Sequence, residues 1–549
     1  MSSRSTIGAI AALVFVGSAS VPAQAATTTA KLACTKSGVT SSAAAVMGAN
    51  SQTHAASGDY TWSASSVQTL NVTSSMTITK PGTYRLRGTI SDGQVTVNVT
   101  GNGVVRLILA GVSITSSSGP AIQVNAAAKV IVVLQAGTTN SLADGASRSA
   151  TTKSLAAALY SKASLTISGT GTLNIKGRFA DGIAGTDGVV ITGGKVSVTA
   201  KDDGIRGKDY VYISSGTIAV TSTGDGIRSS GTKASTVGYV YVGGGKITVN
   251  TKSDALQGIS DVVIAGGTLH LTAADDAINS SCVSYIEKAD VSISSGDDAV
   301  HSDAETIIRS GDIKIAKAYE GVEGATIEIS GGSVSMVTSD DGINGSGGND
   351  ASGFAGPGQQ QSAVAKVEVY SNTLPTHFEM TGGTVAVNAL GDGIDINGSA
   401  TISGGKLIVS GPTANNNGAL DVDTDFIVTG GTVVGIGSAG MAVAPATTSA
   451  QASIKGNFAS TQPAGTILHV VDSKGKLLMS FKSPKSFASI VFSSTEIVKG
   501  QTYKVYTGGS VSGASIGGSY AAGSVEGATL VGSLVGGSYT NSGPGGPRP

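Results

Sequence analysis

The sequence is poor in aromatic residues, in charge and in cysteine. Aromatic residues make up 4% and charged residues 13% of the 549 residues, and the net charge is −1. Because no basic stripe accompanies this near-neutral balance, we expect no nucleic-acid partner. Two cysteines, Cys34 and Cys282, are too few for a disulfide framework, and we interpret them as unpaired. No segment after the N-terminus approaches the roughly 18 uninterrupted apolar residues that a membrane span needs.

Glycine is abundant instead, with 79 residues. A high glycine content together with many Ser and Thr residues suits a chain of short strands and tight turns. The middle of the chain repeats the phrase Asp203-Gly204-Ile205 with small changes, at steps of 22, 22, 29, 22, 22, 22, 21 and 51 residues. The acidic residues that open the phrase are Asp181, Asp203, Asp225, Asp254, Asp276, Asp298, Glu320, Asp341 and Asp392. A fixed period of this length predicts a solenoid with one repeat per coil.

Apolar residues alternate in three short runs of each repeat. Around Asp203 they are Val196 and Val198, then Ile205, then Val211 and Ile213. Alternation with period two predicts strands rather than helices. Three strands per coil predict an all-β fold, a three-sided parallel β-helix in which each strand pairs with its counterparts in neighbouring coils.

The segments outside the repeats predict the domain organisation. Arg4, the apolar run 7–16 and the small residues 23–25 are typical of an export signal, so we expect a secreted protein. We predict a signal peptide at 1–25, a flexible leader at 26–58, an N-terminal cap with the first coils at 59–154, the β-helix at 155–445 with a Gly/Gln-rich insertion at 344–361, a small C-terminal β unit at 446–508, and a Gly/Ser-rich tail at 509–549.

In a parallel β-helix the repeated acidic residue forms a ladder of carboxylates. Equivalent residues of successive coils lie about 4.8 Å apart, where like charges repel by about 0.9 kcal/mol even in water. Closely grouped oxygen ligands suit Ca²⁺. The predicted calcium ligands are Asp202, Asp203, Asp225, Asp254, Asp275, Asp276, Asp297, Asp298, Asp340, Asp341 and Asp392. The alternative is that each Asp accepts hydrogen bonds from N–H groups of its own turn.

Two further columns are candidates for carbohydrate contacts. Tyrosines at outward positions, Tyr210, Tyr212, Tyr239, Tyr241 and Tyr285, predict a stacking surface for sugar rings, or else ordinary cross-strand packing. A polar column lies three residues after each acidic residue, and its basic members Arg206 and Arg228 are candidates to meet sugar carboxylates. The column is Arg206, Arg228, Gln257, Asn279, His301, Glu323, Asn344 and Asp395.

The motifs together resemble one family. They are the segments 119–122, 134–145 and 165–174, the Asp-Gly-Ile coils, the runs 391–398, 418–421 and 440–442, and the end section 500–503. The chain resembles the carbohydrate-binding domain-containing proteins, calcium-containing β-helices that bind cellulose and polygalacturonate. The resemblance implies a right-handed parallel β-helix with a pectate-lyase-like fold, with calcium ligands at the Asp of each phrase. The chain departs from the family's pattern at Ala255, Ala277, Ala299, Glu320 and Gly418.

The sequence thus predicts a secreted, monomeric, calcium-dependent protein that binds plant-type or acidic polysaccharide without catalysis. One alternative is a calcium-dependent polysaccharide lyase, in which Arg206, Arg228 or Lys208 would be the base that removes the C5 proton of a uronate. A second alternative is a surface or matrix adhesin, because Gly/Ser/Thr-rich solenoids are common among such proteins.

Overall fold

The computed structural model describes residues 32–34, 42–148, 154–346, 370–371 and 374–541. The predicted signal peptide and most of the predicted insertion at 344–361 lie outside these residues. Apart from one α-helix, Ala43–Gly48, and two 3-10 helices, Ser57–Tyr60 and Ala64–Ser66, the regular elements of the described part are strands. None of its helices is long enough to cross a bilayer. The all-β prediction is confirmed.

Parallel strands stack in three ladders, and each coil of the chain contributes one strand to each ladder. The first ladder holds Met76–Ile78, Val95–Asn98, Ile122–Ala126, Ala157–Ser161, Asp181–Gly185, Ile205–Gly207, Ile227–Ser229, Leu256–Gly258, Ile278–Ser280 and His301–Ser302, and continues through Val322–Glu323, Ile343–Gly345, Ile394–Ile396 and Asp421–Val422. The second holds Lys129–Leu134, Ser164–Gly169, Val189–Ile191, Tyr210–Ile213, Tyr239–Val242, Asp261–Ile264, Val283–Ile286, Glu305–Ile308, Thr326–Ile329, His377–Met380, Ser399–Ile402 and Phe426–Val428. The third holds Thr139–Ala143, Thr172–Gly177, Lys195–Ala200, Thr217–Thr221, Lys246–Asn250, Gly267–Thr272, Ala289–Ser294, Gly311–Ala318, Ser333–Thr338, Thr384–Ala389, Lys406–Ser410 and Thr432–Gly437.

The register of the first ladder follows the repeated phrase. Ile205 pairs with Ile227, and Ile227 pairs with Leu256 across the seven-residue insertion between them. These apolar residues point inward and are fully buried, as are their counterparts Val211 and Ile213 in the second ladder. Full burial of such a side chain contributes about 1.5–3 kcal/mol. Hydrophobic burial therefore fixes the register, since a slip by one residue would turn every apolar side chain outward.

The first coils contain longer strands. Val67–Val72 pairs in parallel with Gly82–Ile90, which pairs with Val104–Thr115. Val104–Thr115 then joins both the second ladder, at Lys129–Leu134, and the third ladder, at Thr139–Ala143. The second and third ladders thus begin as one continuous strand and separate in the following coils.

The predicted flexible leader is ordered where the structure describes it. Residues 42–66 lie against the second ladder, and the helix Ala43–Gly48 begins at Ser42, whose hydroxyl accepts a hydrogen bond from the N–H of Ala45 at 3.2 Å. Ala43 and Val46 pack in a buried cluster with Tyr285. Within the segment predicted to be a flexible leader, the structure thus contains a capped helix with one apolar face.

Cys34 and Cys282 form a disulfide, with their Cα atoms 5.4 Å apart. This corrects the interpretation of two unpaired cysteines. The N-terminal segment does fold back onto a central coil, which places the two residues, 248 apart in sequence, within the distance range of a bridge. The short strand Leu32–Ala33 next to Cys34 pairs with Tyr370–Ser371.

The C-terminal region covers the end of the third ladder. Phe487–Ser493 pairs antiparallel with Thr432–Gly437 and with Ser453–Gln462. A six-stranded antiparallel sheet follows, in the order Ser510–Ile516, Ser519–Ser524, Leu477–Lys482, Ile467–Val471, Thr502–Thr507, Thr529–Val535. The predicted tail at 509–549 is therefore part of this sheet as far as Val535. Gly517 and Gly518, both with positive φ, close its hairpin in the manner of a tight two-residue turn.

Candidate carboxylate-ladder site

The acidic residue of each phrase lies just before, or opens, its strand of the first ladder, and its side chain is buried. Asp181, Asp254 and Asp392 each expose 2% of their surface. The other members are also buried, namely Asp203, Asp225, Asp276, Asp298, Glu320 and Asp341. Buried carboxylates require hydrogen bonds or countercharges, because an unpaired buried charge costs several kcal/mol. We call each of these acidic residues a rung of the carboxylate ladder. The hydrogen-bond and ion-pair partners of a rung therefore determine its charge and what it can bind.

One carboxylate oxygen of the aspartates is satisfied by the backbone of the next coil. The N–H of Asp225 donates to Oδ1 of Asp203 at 3.0 Å, and the N–H of Asp254 donates to Oδ1 of Asp225 at 3.2 Å. The same bond recurs from Asp276, Asp298, Asp392 and Gly418 to the preceding rung. The alternative of hydrogen bonds to N–H groups is thus present, although the donor belongs to the next coil rather than to the same turn.

The polar column supplies partners for the second oxygen. Arg206 contacts Oδ2 of Asp181 at 2.5 Å and Oδ2 of Asp203 at 3.5 Å. Arg228 contacts Oδ2 of Asp203 at 3.7 Å and Oδ2 of Asp225 at 3.2 Å. Each arginine thus bridges two rungs, and at this end of the ladder the countercharge is provided by the protein itself.

Burial still shifts the protonation of these rungs. Burial raises the pKa of Asp181 to about 6, against the lowering effect of Arg206. Burial, and then the neighbouring Asp225 and Asp181, raises the pKa of Asp203 to about 7. The ladder therefore holds some of its carboxyl groups near their titration points at neutral pH.

Amides replace the arginines in the middle of the ladder. Gln257 donates to Oδ2 of Asp254 at 2.9 Å, and Asn279 donates to Oδ2 of both Asp254 and Asp276, at 2.9 and 2.8 Å. An amide satisfies a hydrogen bond without supplying a positive charge. The half-buried Asp275 and Asp297 add carboxylates here, so that Asp254, Asp275 and Asp276 form one compact acidic group, and Asp276, Asp297 and Asp298 form another.

His301 holds the next position of the column. Its Nδ1 lies 3.1 Å from Oδ2 of Asp298 and in hydrogen-bond contact with Oε2 of Glu323, and its Nε2 lies 3.1 Å from Oδ1 of Asp303. The surrounding carboxylates, Glu323 first, hold the pKa of His301 well above its ordinary value despite burial, which opposes them.

At the C-terminal end of the ladder, the polar column contributes an acidic residue instead of a hydrogen-bond donor. Asp395 takes the column position, and the carboxylates of Asp341, Asp392 and Asp395 have ligand oxygens within 4.8 Å of one another. Burial, and then the neighbouring Asp392 and Asp395, raises the pKa of Asp341 to about 8. This acidic group is half-open to solvent at Asp395 and is hereafter called the terminal acidic cluster.

Seven of the predicted calcium ligands thus fall in compact acidic groups. They are Asp254, Asp275, Asp276, Asp297, Asp298, Asp341 and Asp392. The groups found among the described residues do not include Asp202, Asp203, Asp225 or Asp340. The substitutions Ala255, Ala277 and Ala299 leave the acidic side chains of their coils in place. The sequence did not signal Asp395 or Glu323 as possible ligands, although both stand in the polar column.

The tyrosine column lies on the second ladder, in two stacked pairs. The rings of Tyr210 and Tyr239 are 5.2 Å apart, and those of Tyr212 and Tyr241 are 4.5 Å apart with planes 12° from parallel. A sugar ring does not fit between rings this close, so the facing surfaces of each pair are closed to a ligand. A ligand could contact the Tyr212–Tyr241 pair only at the ring edges, the hydroxyls and the two outer ring faces.

The N-terminal segment covers three of the five tyrosines. The hydroxyl of Tyr210 contacts Nδ1 of His54 at 2.6 Å, and the hydroxyl of Tyr239 donates to the carbonyl of Ser51 at 2.8 Å. Tyr285 is fully buried beneath the helix Ala43–Gly48. Five tyrosines were predicted to form a stacking surface for sugar rings, but three of them are covered. The segment that covers them is the one predicted to be a flexible leader.

Tyr212 and Tyr241 remain half-exposed at a cleft of about 540 Å³. Met47, Glu287 and Lys288 also line it. Sequence reasoning missed these residues because none belongs to a repeated column. Arg206 and Arg228 lie on the first ladder, so the structure does not bring the two predicted groups of carbohydrate-contact residues together in one site.

Comparison with known proteins finds similarity to one family within residues 73–345. The family model of the carbohydrate-binding domain-containing proteins matches residues 73–345. A relative of the same description, from Acetivibrio thermocellus, is 35% identical over 126 residues, which are 22% of this chain and 44% of that protein. The aligned region thus spans less than half of that relative. The resemblance stated from the motifs is confirmed.

A solved structure is also similar. It is described as the structure of the polysaccharide lyase-like protein from C. thermocellum, gadolinium derivative. It is 29% identical, with a TM-score of 0.37, and the match covers 43% of this chain and 93% of that chain.

Proposed function

Because residues 73–345 match the family model of the carbohydrate-binding domain-containing proteins, we propose that the protein binds acidic, plant-type polysaccharide of the polygalacturonate class through calcium held on the carboxylate ladder. The proposal includes export from the cell, a right-handed coil and binding without catalysis. The disulfide between Cys34 and Cys282 supports export, because disulfides persist in oxidising compartments.

The observation that carries the proposal is that the polar column supplies arginines to the first ladder carboxylates but an aspartate to the last ones. Rungs near Arg206 and Arg228 have a cationic partner, whereas the terminal acidic cluster adds Asp395 to two buried carboxylates. Three carboxylates within 4.8 Å present only hard oxygen ligands, which is the donor set that Ca²⁺ prefers. The residues present therefore fit calcium.

The exposure of the cluster suits a ligand that completes the coordination. Asp341 and Asp392 are buried, while Asp395 is half-exposed beside them. Calcium takes 6–8 oxygens, more than three carboxylates supply in this geometry. Bound calcium would supply a positive charge for the carboxylate of a uronate, and the three aspartates hold that charge at the surface of the first ladder.

The cleft beside Tyr212 and Tyr241 is the second contact that we propose. Glu287 and Lys288 bring charged groups to its wall, and the tyrosine hydroxyls bring donors. Tyrosine combines an apolar body with a polar tip, which suits the mixed surface of a sugar. Because this cleft is on the second ladder and the cluster on the first, the two would contact different parts of a polymer.

The arginines proposed as the catalytic base of a lyase are not free to act as one. A base that removes a C5 proton must be free to approach the substrate, whereas Arg206 and Arg228 are each bound to two carboxylates of the ladder. Lys208 is exposed, but among the described residues the acidic groups with metal-ligand spacing do not include Asp203, the ladder aspartate of the same coil. We therefore favour binding over cleavage.

The test compares wild-type protein with Asp395→Asn. We expect wild type to sediment with insoluble polygalacturonate in calcium and to lose binding in EDTA, and Asp395→Asn to bind at least tenfold more weakly, because one of three charged ligands is neutralised. Asp425→Asn, at an exposed aspartate outside the ladder, is the matched control and should bind as wild type does.

Three results would reject the proposal. They are polygalacturonate binding that is indifferent to EDTA, full binding by Asp395→Asn, and release of unsaturated uronates detected by their ultraviolet absorbance. The last of these would establish the lyase instead.

A further inference from the structure

His301 differs from the other residues of the polar column in the number of acids around it. Two carboxylates converge on its Nδ1, Oδ2 of Asp298 at 3.1 Å and Oε2 of Glu323 in closer contact. A single Nδ1 hydrogen cannot serve two acceptors fully. The same position is held by Asn279 one coil before and by Asn344 two coils after, and the amides of both donate to the ladder without this conflict. The imidazole is therefore not needed merely to close a hydrogen bond.

A buried oxygen without a partner lies in the same group. Within the described part of the chain, Oδ1 of Asp298 is inaccessible and makes no hydrogen bond, and Asp298 exposes only 6% of its surface. In other rungs, such as Asp276, this oxygen accepts the N–H of the next acidic residue. Leaving a buried acceptor unsatisfied costs about 1–3 kcal/mol, and more for a charged group. A bound cation would remove that cost.

The outer partners of the group have the arrangement found around metal-binding histidines. Nε2 of His301 contacts Oδ1 of Asp303 at 3.1 Å, which fixes the orientation of the ring. The hydroxyl of Ser346 donates to Oε1 of Glu323 at 2.5 Å and leaves Oε2 directed at the ring. Histidine ligands of metals usually donate their other nitrogen to a carboxylate in this way.

We propose that Asp298, His301 and Glu323 form a binding site for a transition-metal dication of the Zn²⁺ class, separate from the oxygen-only acidic groups of the ladder. Imidazole suits Zn²⁺ and its neighbours, whereas Ca²⁺ takes oxygen ligands. Ligands of a tetrahedral Zn²⁺ are about 3.3 Å apart, judged from bonds of about 2.0–2.1 Å. Nδ1 of His301 lies 3.1 Å from Oδ2 of Asp298, close to this spacing, whereas Oε2 of Glu323 lies nearer to Nδ1 and would move outward to bind the same ion.

The site would join two coils. Asp298 and His301 belong to one coil and Glu323 to the next. The first ladder passes from its ten-stranded to its four-stranded part between these coils, and its strand pairing there is reduced to the isolated bridge between Val300 and Val322. Three protein ligands leave a fourth coordination position for water or for another group, as in open zinc sites.

The test measures the binding of Zn²⁺ to the full protein, with excess calcium present to occupy the oxygen-only acidic groups. We expect one equivalent of Zn²⁺ to remain after dialysis, measured by elemental analysis, and His301→Asn to lower the affinity at least tenfold. Asn occupies this position one coil before (Asn279) and two coils after (Asn344), so this variant should retain the fold, which circular dichroism checks. His270→Asn, at an exposed histidine of the third ladder, is the matched control and should bind zinc as wild type does.

A spectroscopic measurement identifies the ligand directly. In histidine-labelled protein, zinc should shift the ring nitrogen resonances of His301 and leave those of His270 unchanged. Asp303→Asn should weaken zinc binding by about 10-fold or more without abolishing it, as expected for an outer partner. Equal zinc affinity in wild type and His301→Asn, or zinc bound without a change at the His301 ring, would overturn the proposal. Neither result depends on whether the protein binds polysaccharide.

Discussion

One residue per coil determines the charge of each rung of the carboxylate ladder. Six aspartates are similar in burial and share the backbone bond at Oδ1, so the difference among them arises at Oδ2; they are Asp203, Asp225, Asp254, Asp276, Asp341 and Asp392. Arg206 brings a full charge, Asn279 brings a dipole, and Asp395 brings further negative charge. The ladder therefore changes along its length from carboxylates with an arginine partner to carboxylates that are grouped with a further acidic side chain.

Single residues also control the cover over the tyrosines, and His54 gives that cover a pH dependence. Burial, and then Lys129, lowers the pKa of His54 from 6.5 to about 4. A neutral Nδ1 can accept from the hydroxyl of Tyr210, while Nε2 lies 3.1 Å from Oγ1 of Thr166. Protonation removes the acceptor and places a second positive charge near Lys129.

We predict that the cover loosens as the pH falls. Because the folded pKa of His54 is depressed, its contribution is fully present above the unfolded pKa near 6.5 and is lost between pH 6.5 and 4. The contribution is no more than about 3.5 kcal/mol at about 1.4 kcal/mol per pKa unit, and solvent screening reduces it. The protection factors of the Tyr210 and Tyr239 backbone amides, which correct for the slower intrinsic exchange at low pH, should fall over this range in wild type.

His54→Gln provides the control for this pH dependence, because its amide does not titrate. The protection factors of the Tyr210 and Tyr239 backbone amides in this variant should change less between pH 6.5 and 4 than in wild type. The same pH profile in both proteins would show that another group controls the cover.

At the level of the strand and turn, the small residue after each ladder aspartate is required by close contact between coils. A Cβ at Gly204 would lie 2.2 Å from Cγ1 of Val220 and 2.5 Å from the carbonyl oxygen of Gly226. Both distances are shorter than real Cβ contacts, and the second involves backbone that cannot turn aside. The glycine is thus set by packing of the first ladder against the third.

Gly204→Ala is therefore predicted to destabilise the protein by about 1–3 kcal/mol, the usual cost of overpacking. Thermal unfolding followed by circular dichroism measures the change. Gly532→Ala is the control, since a Cβ there meets no atom within 4 Å, and its midpoint should match that of wild type. A Gly204→Ala midpoint equal to that of wild type would show that the coils separate freely at this contact.

These elements also show why part of the structure was predictable. The ladders follow from period-two burial at residues such as Val196 and Val198, which sequence reports directly, and a repeat near 22 residues aligns them. The exposure of the tyrosines was not predictable, because it depends on a segment about 160 residues earlier in the chain that contains no repeat. The partner of each carboxylate was likewise hidden, since residues spaced 25 apart, such as Asp181 and Arg206, meet only after coiling.

For the whole molecule, the disulfide is the covalent link between the N-terminal segment and the central coils. Cys34 and Cys282 close a loop with a sequence separation of 248. In the chain-entropy account, a loop of this length stabilises the folded protein by about 5 kcal/mol, because the unfolded chain loses freedom. The bridge also keeps the segment close to the tyrosines that it covers.

We predict that the double variant Cys34→Ala, Cys282→Ala melts at a lower temperature and exchanges backbone hydrogens faster at Tyr239 and Tyr285. The measurements are calorimetry and hydrogen exchange on the full chain, with wild type in reducing buffer as a second route to the open form. Since each coil contacts mainly its neighbours, protection in distant coils such as Ser399–Ile402 should change little. Faster exchange there, equal to that at Tyr239, would show that the bridge stabilises all coils alike and that the cover has no separate opening.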